Sequence, residues 1–315
     1  MSSLLYILLF TLVQRALAQY QLVDDYSGDN FFPQFDFFSG ADPTHGIVKY
    51  VTESDARQRG LISTPNGVAH MGVDSTNVVG DEGRPSVRIE SKKAYNKGLI
   101  IADFAHVPGS ACGTWPAFWT YGPGWPNGGE IDIYEGVHMT SENGMALHTG
   151  PGCSVNPTAG FSGQMITDDC YVSAPDQAAN QGCQIDSNNP SSFGTALNDI
   201  GGGVFATEWT AQGIKIWFFP RSGIPADIAN KQPNPAGWGT AAGYFAGNCN
   251  FDTMFVDQRI VFDTTFCGDW AGNVWNTEPE CRSKAPSCNE FVKGNPTAFA
   301  QSYWDVNHVR VYQNA

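Results

Sequence analysis

Long apolar runs are scarce in this 315-residue chain, charged residues make up only 15%, and apolar residues show no sustained 3.6-residue period. The one apolar run, Leu4 to Val13 in MSSLLYILLFTLVQRALAQ, is too short to cross a bilayer as a helix. Followed by Ala16-Leu17-Ala18, it reads as a secretory signal peptide over residues 1–18, cleaved before Gln19. Basic residues are few: 17 Lys and Arg stand against 31 Asp and Glu, and losing Arg15 takes the formal charge from -14 to -15. The acidic balance therefore argues against nucleic acid and anionic membranes as partners, and a neutral or cationic ligand suits the surface better. No CxxC pair occurs among the eight cysteines, all of which lie between Cys112 and Cys288. In an exported chain that pattern predicts four disulfides, of open connectivity, and no metal or redox centre. Asn156, Asn189 and Asn295 each precede Pro and then Ser or Thr, and the proline blocks N-glycosylation.

Aromatics, at 13%, and 35 glycines are plentiful. Short β-branched or aromatic runs punctuated by Gly, Pro and Asn, among them SVRIESKK, GLIIADFAHV, WPAFWTYG, GEIDIYEGV, RIVFDTTF and HVRVYQ, predict an all-β chain with almost no helix. GVFATEWT and GIKIWFFP flank Ala211-Gln212 and read as a hairpin. The segments Ser154–Gly203 and Ile224–Asn250 read as long loops, stapled through Cys170, Cys183 and Cys249. With no repeat, linker or charge block, residues 19–315 are expected to form a single domain, an antiparallel sandwich or jelly roll.

Only 10 of the residues are Glu, yet GGEIDIYEGV holds Glu130 and Glu135 with Asp132 between them. An E-x-D-x-x-E pattern should arise by chance about 0.02 times in a chain of this composition. On a strand, Glu130 and Asp132 share one face while Ile131 and Ile133 face the core. Glu135 has the wrong parity and would join the isoleucines, a costly place for a carboxylate. One β-bulge near Tyr134 restores it to the side of Glu130, about four strand steps or 13 Å away along the backbone. Upstream, CGTWPAFWTYGPGWPNGG packs Trp115, Trp119 and Trp125 close together, and indole faces are surfaces on which sugar rings stack. Paired carboxylates beside aromatics on a β framework point to a sugar-cleaving cleft.

GEIDIYEGV resembles the signature of glycoside hydrolase family 16, and CGTWPAFWTYGP, ALHTG, FCGDWAG and HVRVYQ resemble the matching segments of its secreted fungal laminarinases, in order across nearly the whole chain. The resemblance implies a concanavalin A-like β-jelly roll with a concave glucan cleft, and hydrolysis of β-1,3 and mixed β-1,3/1,4 glucans with retention. It implies Glu130 as nucleophile, Glu135 as acid/base and Asp132 as the assisting carboxylate. Trp125, Trp119, Trp115 and Trp270 are expected as sugar platforms, with His148, Arg88 and Asn30 as further substrate contacts. No cofactor is expected. Some similar enzymes hold calcium through an aspartate of the last strand; this chain has Asn307 there, and no metal ligand is assigned. A monomer acting on a polysaccharide is expected, with a transglycosylase or a glucan-binding lectin on the same fold as rivals.

Overall fold

The short apolar runs assemble into two eight-stranded antiparallel sheets in the computed structural model, which describes residues 20–314. The expected signal peptide lies outside the described residues. The sheet that carries the carboxylates contains β1 (Phe35–Phe37), β2 (Arg88–Tyr95), β3 (Thr114–Tyr121), β4 (Glu130–Glu135), β5 (Gly144–His148), β6 (Gln164–Thr167), β7 (Cys183–Asp186) and β8 (Gln258–Phe266). They run in the order β6-β7-β5-β4-β3-β8-β2-β1. The second sheet is centred on Gly98–His106 and Tyr303–Asn314, and includes the expected hairpin of Gly203–Thr210 with Gly213–Pro220, closed by Thr210 opposite Gly213.

Alternation explains how each strand serves two surfaces. On β3, Phe118 is fully buried, while Trp115, Trp119 and Tyr121 are half-buried on the opposite face. Phe118 enters an aromatic core in which Phe104 meets Phe118, Phe262 and Trp304 edge-on at 5.5, 6.0 and 5.5 Å. Burying each such side chain is worth about 1.5–3 kcal/mol, and the edge-to-face geometry adds to that. The core therefore fixes β3, β4 and β8 as a rigid floor under whatever lies on their other side.

All eight cysteines are paired, as Cys112–Cys281, Cys153–Cys249, Cys170–Cys183 and Cys267–Cys288. Two of these clamp the segment after β8 to the ends of β3 and β8, over a small cluster that includes Trp275, Phe291 and Phe299. The other two staple the expected long loops, which are more ordered than their composition suggests. Within them lie β6, β7, a helix at Gly194–Asp199 and short strands at Ser154–Val155 and Gly243–Phe245. β6 is half-exposed and takes its form from its ladder to β7, which no local apolar pattern encodes. Helices are present but short: the longest α-helix among the described residues, Cys288–Gly294, has seven residues, and Ser287 caps it by accepting from the Glu290 N–H. No helix among the described residues is long and apolar enough to cross a membrane.

Asn307 donates its amide to Asp103 at 2.7 Å, and the Arg221 guanidinium grips the same carboxylate at 2.7 and 3.0 Å.

Candidate active site

The register of β4 breaks inside the acidic stretch. Against β3, Asp132 lies opposite Trp119 and Tyr134 opposite Phe118, so one residue of β4 has no counterpart. Against β5, Asp132 lies opposite Ala146 and Glu135 opposite Gly144, again with one residue extra. This β-bulge lets Ile133 and Tyr134 both enter the core, where each is fully buried, and returns Glu135 to the face of Glu130 and Asp132. The partners of Glu130 and Glu135 are Tyr121 and Ala117 on β3, and His148 and Gly144 on β5. Both ladders thus put the two glutamates four positions apart, about 13 Å between backbones. Tyr134 anchors the bulge by stacking on Phe193 at 4.6 Å and by accepting the Gly194 N–H at 3.0 Å.

Three indole N–H groups point at three carboxylates. Trp115 donates to Glu135 Oε1 at 2.7 Å, Trp125 donates to Glu130 Oε2, and Trp119 donates to Asp263 Oδ1 at 2.9 Å. Trp125 is 45% exposed on the loop before β4, whereas Trp115 is braced edge-on by Trp270 at 5.7 Å. The tryptophans therefore act as hydrogen-bond donors as well as apolar faces. His148 Nε2 stands 3.2 Å from Asp132 Oδ2, and its Nδ1 has no hydrogen-bond partner within the protein. The His148 ring packs against Gly182, where φ is +64° and a Cβ would lie 2.3 Å from the Leu147 carbonyl oxygen.

The carboxyls at the centre resist ionisation. Burial, then the neighbouring Asp132 charge, pushes Glu130 up to about 8; the Trp125 and His148 contacts oppose it. Burial likewise drives Asp132 up to about 8, partly offset by its hydrogen bond with Glu130. Glu135 is held well above the ordinary range by burial and by Asp132, against the pull of the Trp115 N–H. Glu130 and Glu135 keep a part-exposed edge, whereas Asp132 is 1% exposed. Charge separation among the three is therefore set by shared protons rather than by solvent. Among the described residues, Glu130, Asp132 and His148 form the one group of three whose potential metal-ligand atoms all lie within 4.8 Å of one another.

The remaining sequence-derived residues fall at different depths. Arg88 is 7% exposed: it pairs with Glu90 at 2.9 Å and is sandwiched between the rings of Phe38 at 4.7 Å and Trp119 at 5.0 Å. Asn30 sits outside both sheets, bonded to the Asp25 carbonyl and to Gln34. Asp263, on β8, escaped the sequence reading. It accepts from Trp119 and from the Tyr50 hydroxyl at 2.8 Å, and burial raises it to about 6 while Arg88 pulls it down. An aspartate in the middle of the apolar strand RIVFDTTF was the available signal. Asn143, bonded to the main chain on both sides of the bulge, escaped it too.

A β-sandwich bearing three proton-hoarding carboxyls between indole rings has the equipment of an enzyme that cleaves glycosidic bonds. The XgeA-like catalytic domain of glycoside hydrolase family 16 matches residues 35–312, and the chain belongs to that family. An endo-1,3(4)-beta-glucanase of Arthroderma benhamiae is 48% identical over 98% of this chain, and the alignment covers 68% of that relative. An endo-1,3(4)-beta-glucanase of Emericella nidulans is 41% identical over 97% of this chain and 49% of its own length. The chain thus spans about half to two thirds of these relatives. Among solved structures, an elongating family 16 β-1,3-glucosyltransferase superposes with a TM-score of 0.88 at 43% identity, covering 93% of this chain and 100% of that one. Laminarinase 16A of Phanerochaete chrysosporium, solved with β-glucans in its donor and acceptor sites, gives 0.88 at 39% identity, covering 93% and 99%.

Proposed function

We infer that the chain is a secreted, retaining endo-β-glucanase acting on β-1,3 and mixed β-1,3/1,4 glucans, with residues 19–315 as a single catalytic domain that works as a monomer without a cofactor. The observation that carries the mechanism is the bulge that returns Glu135 to the face of Glu130. A Glu130 oxygen attacks the anomeric carbon as the bond to the leaving oxygen breaks, and Glu135 gives that oxygen its proton. Water then attacks the glycosyl ester, Glu135 takes the water's proton, and Glu130 departs as a carboxylate. Asp132 holds the proton that would otherwise sit on Glu130, so that the nucleophile is ionised while Glu135 stays protonated. The part-exposed faces of Trp119, Trp125, Trp115 and Trp270 suit sugar stacking, with His148 and Asn30 as polar contacts. Arg88 supports Trp119 from below. The relatives named endo-1,3(4)-beta-glucanase support the substrate, and four disulfides support an exported chain.

The likeness to an elongating glucosyltransferase favours a second reading, in which a glucan hydroxyl replaces water in the second step. Incubation with a defined β-1,3 oligosaccharide separates the two, since longer products identify transfer and only shorter ones hydrolysis. The mechanism itself is tested by proton NMR in the first minutes of reaction. Initial β-product is expected, and initial α-product overturns the retaining assignment.

A further inference from the structure

The bulge that aims Glu135 leaves main-chain groups of β4 without ladder partners on the β5 side, and one buried side chain meets both. The Glu135 N–H donates to Asn143 Oδ1 at 2.9 Å, and Asn143 Nδ2 donates to the Ile133 carbonyl at 2.8 Å. A carboxamide carries the same donor and acceptor as a peptide unit, so Asn143 replaces the peptide group that the extra residue displaces from the ladder. Asn143 is 1% exposed, and its own main chain is tied down from two sides. Its N–H donates to Ser192 Oγ at 2.9 Å, and its carbonyl accepts the Ser187 N–H at 2.8 Å. The loop carrying Ser192 continues into Phe193, on which Tyr134 of the bulge stacks.

We propose that Asn143 is a positioning residue that holds the bulge in register and thereby aims the acid/base Glu135. The inference rests on the assignment of Glu135 as acid/base. Asn143 is the side chain that holds the Glu135 main chain, whereas Trp115 grips only the carboxyl. Without the Asn143 amide, two buried main-chain groups lose their partners, and the cheapest repair is for the chain to slide toward regular pairing, which turns Glu135 toward the core.

The test compares two substrates of different acid demand, laminarin and dinitrophenyl β-laminaribioside, whose phenolate leaves without a proton. Asn143→Ala is expected to lower kcat/KM on laminarin by roughly 10²-fold while the aryl substrate stays within about threefold of wild type, as for a lost general acid. A residue that merely stabilises the fold would lower the melting temperature and leave that ratio unchanged, and this result overturns the proposal. Asn143→Asp gives a second readout, because a protonated Asp is isosteric with Asn and offers one donor and one acceptor. Its laminarin activity relative to wild type should recover as pH falls. The titratable groups on the elements packed against this position are Glu130, Asp132 and Glu135 on β4, His148 on β5, Asp186 on β7 and Glu142 in the preceding turn. These are common to wild type and variant, so the relative profile isolates residue 143, and a flat relative profile overturns the proposal. Should neither variant fold, Ser192→Ala removes the acceptor of the Asn143 N–H together with the hydroxyl's own bond to the Asn189 carbonyl, and leaves the Asn143 side chain in place; the laminarin-to-aryl ratio must then drop in the same direction, and an unchanged ratio counts against the proposal. Glu135→Ala, assayed alongside, keeps the two ideas apart. If it loses no laminarin activity selectively, the Glu135 assignment fails, whereas a selective loss there with an unchanged ratio for Asn143→Ala sinks only the role of Asn143.

Discussion

Replacing Trp115 by Phe keeps a ring against Trp270 and removes one N–H from Glu135, which makes it a clean probe of the acid. The indole donates to Glu135 Oε1 at 2.7 Å, a short bond that favours the ionised carboxylate. Hydrogen bonds to charged groups are worth about 1.5–3 kcal/mol, a factor of roughly 10 to 100 in the ionisation equilibrium. Losing the donor disfavours the carboxylate, so Glu135 keeps its proton to higher pH. The alkaline limb of kcat/KM, which reports loss of the acid in free enzyme, should therefore move upward in Trp115→Phe. The acidic limb, governed by ionisation of the nucleophile beside Asp132, should stay where it is. A second consequence follows from the donor's choice of oxygen. With Oε1 occupied by an N–H, the acid proton sits on Oε2, and the variant loses that preference, so kcat should fall at every pH. The assay is a pH series of kcat/KM on laminarin for both proteins. An alkaline limb that stays put, or moves down, refutes the role of this bond; a change in KM alone would leave Trp115 as a stacking surface only.

Glu130→Gln is expected to abolish turnover on every substrate, while Glu135→Ala should retain activity on aryl glucosides and be rescued by azide, giving a glycosyl azide; near wild-type cleavage of laminarin by the former would disprove the nucleophile. The raised position of Glu130 has a stability consequence whose sign is fixed. A carboxyl raised in the folded state favours folding at low pH and costs stability as pH rises through about 8, so Glu130→Gln should melt no lower than wild type at pH 9, and a clearly lower melting temperature there contradicts the buried-carboxyl account. Asp263→Asn keeps an acceptor for Trp119 but weakens the charge facing Arg88, and KM for laminarin should rise more than kcat falls; the reverse pattern would place Asp263 in the chemistry. Intact mass of the secreted chain should show the loss of eight hydrogens, one per cysteine, and no hexosamine, with any shift on N-glycosidase treatment counting against the blocked sequons.

The bulge in β4 was legible because a violation exposed it. Ile131 and Ile133 declared the core face, and Glu135 could not join them without burying a carboxylate among apolar groups, so an extra residue had to intervene. Asn143 was not legible by the same logic. In SENGMAL it stands before Gly144, and an Asn-Gly pair signals a turn, which hides a second use of the amide. The ladder from β6 to β7 was invisible for another reason: β6 is half-exposed, and its pairing partner lies across the Cys170–Cys183 bridge rather than in its own pattern.

Arg88 marks the limit of period-two reasoning. The resemblance implies Arg88 as a substrate contact, and Arg88 does lie on the side of the carboxylates, opposite Asp263 of β8. A face, however, has depth, and depth is decided by the volume of what neighbouring strands contribute. Trp119 lies over the guanidinium, Phe38 closes it from the other side, and Glu90 satisfies its charge at 2.9 Å. A cation so enclosed holds the indole platform level rather than meeting solvent. Asp263 completes that support by holding the Trp119 N–H, and Tyr50 in turn holds Asp263. The platform is thus built from six side chains, Trp119, Arg88, Phe38, Glu90, Asp263 and Tyr50, from five parts of the sequence. Its members share a face but not a layer, and the layer becomes visible only when the strands are laid side by side.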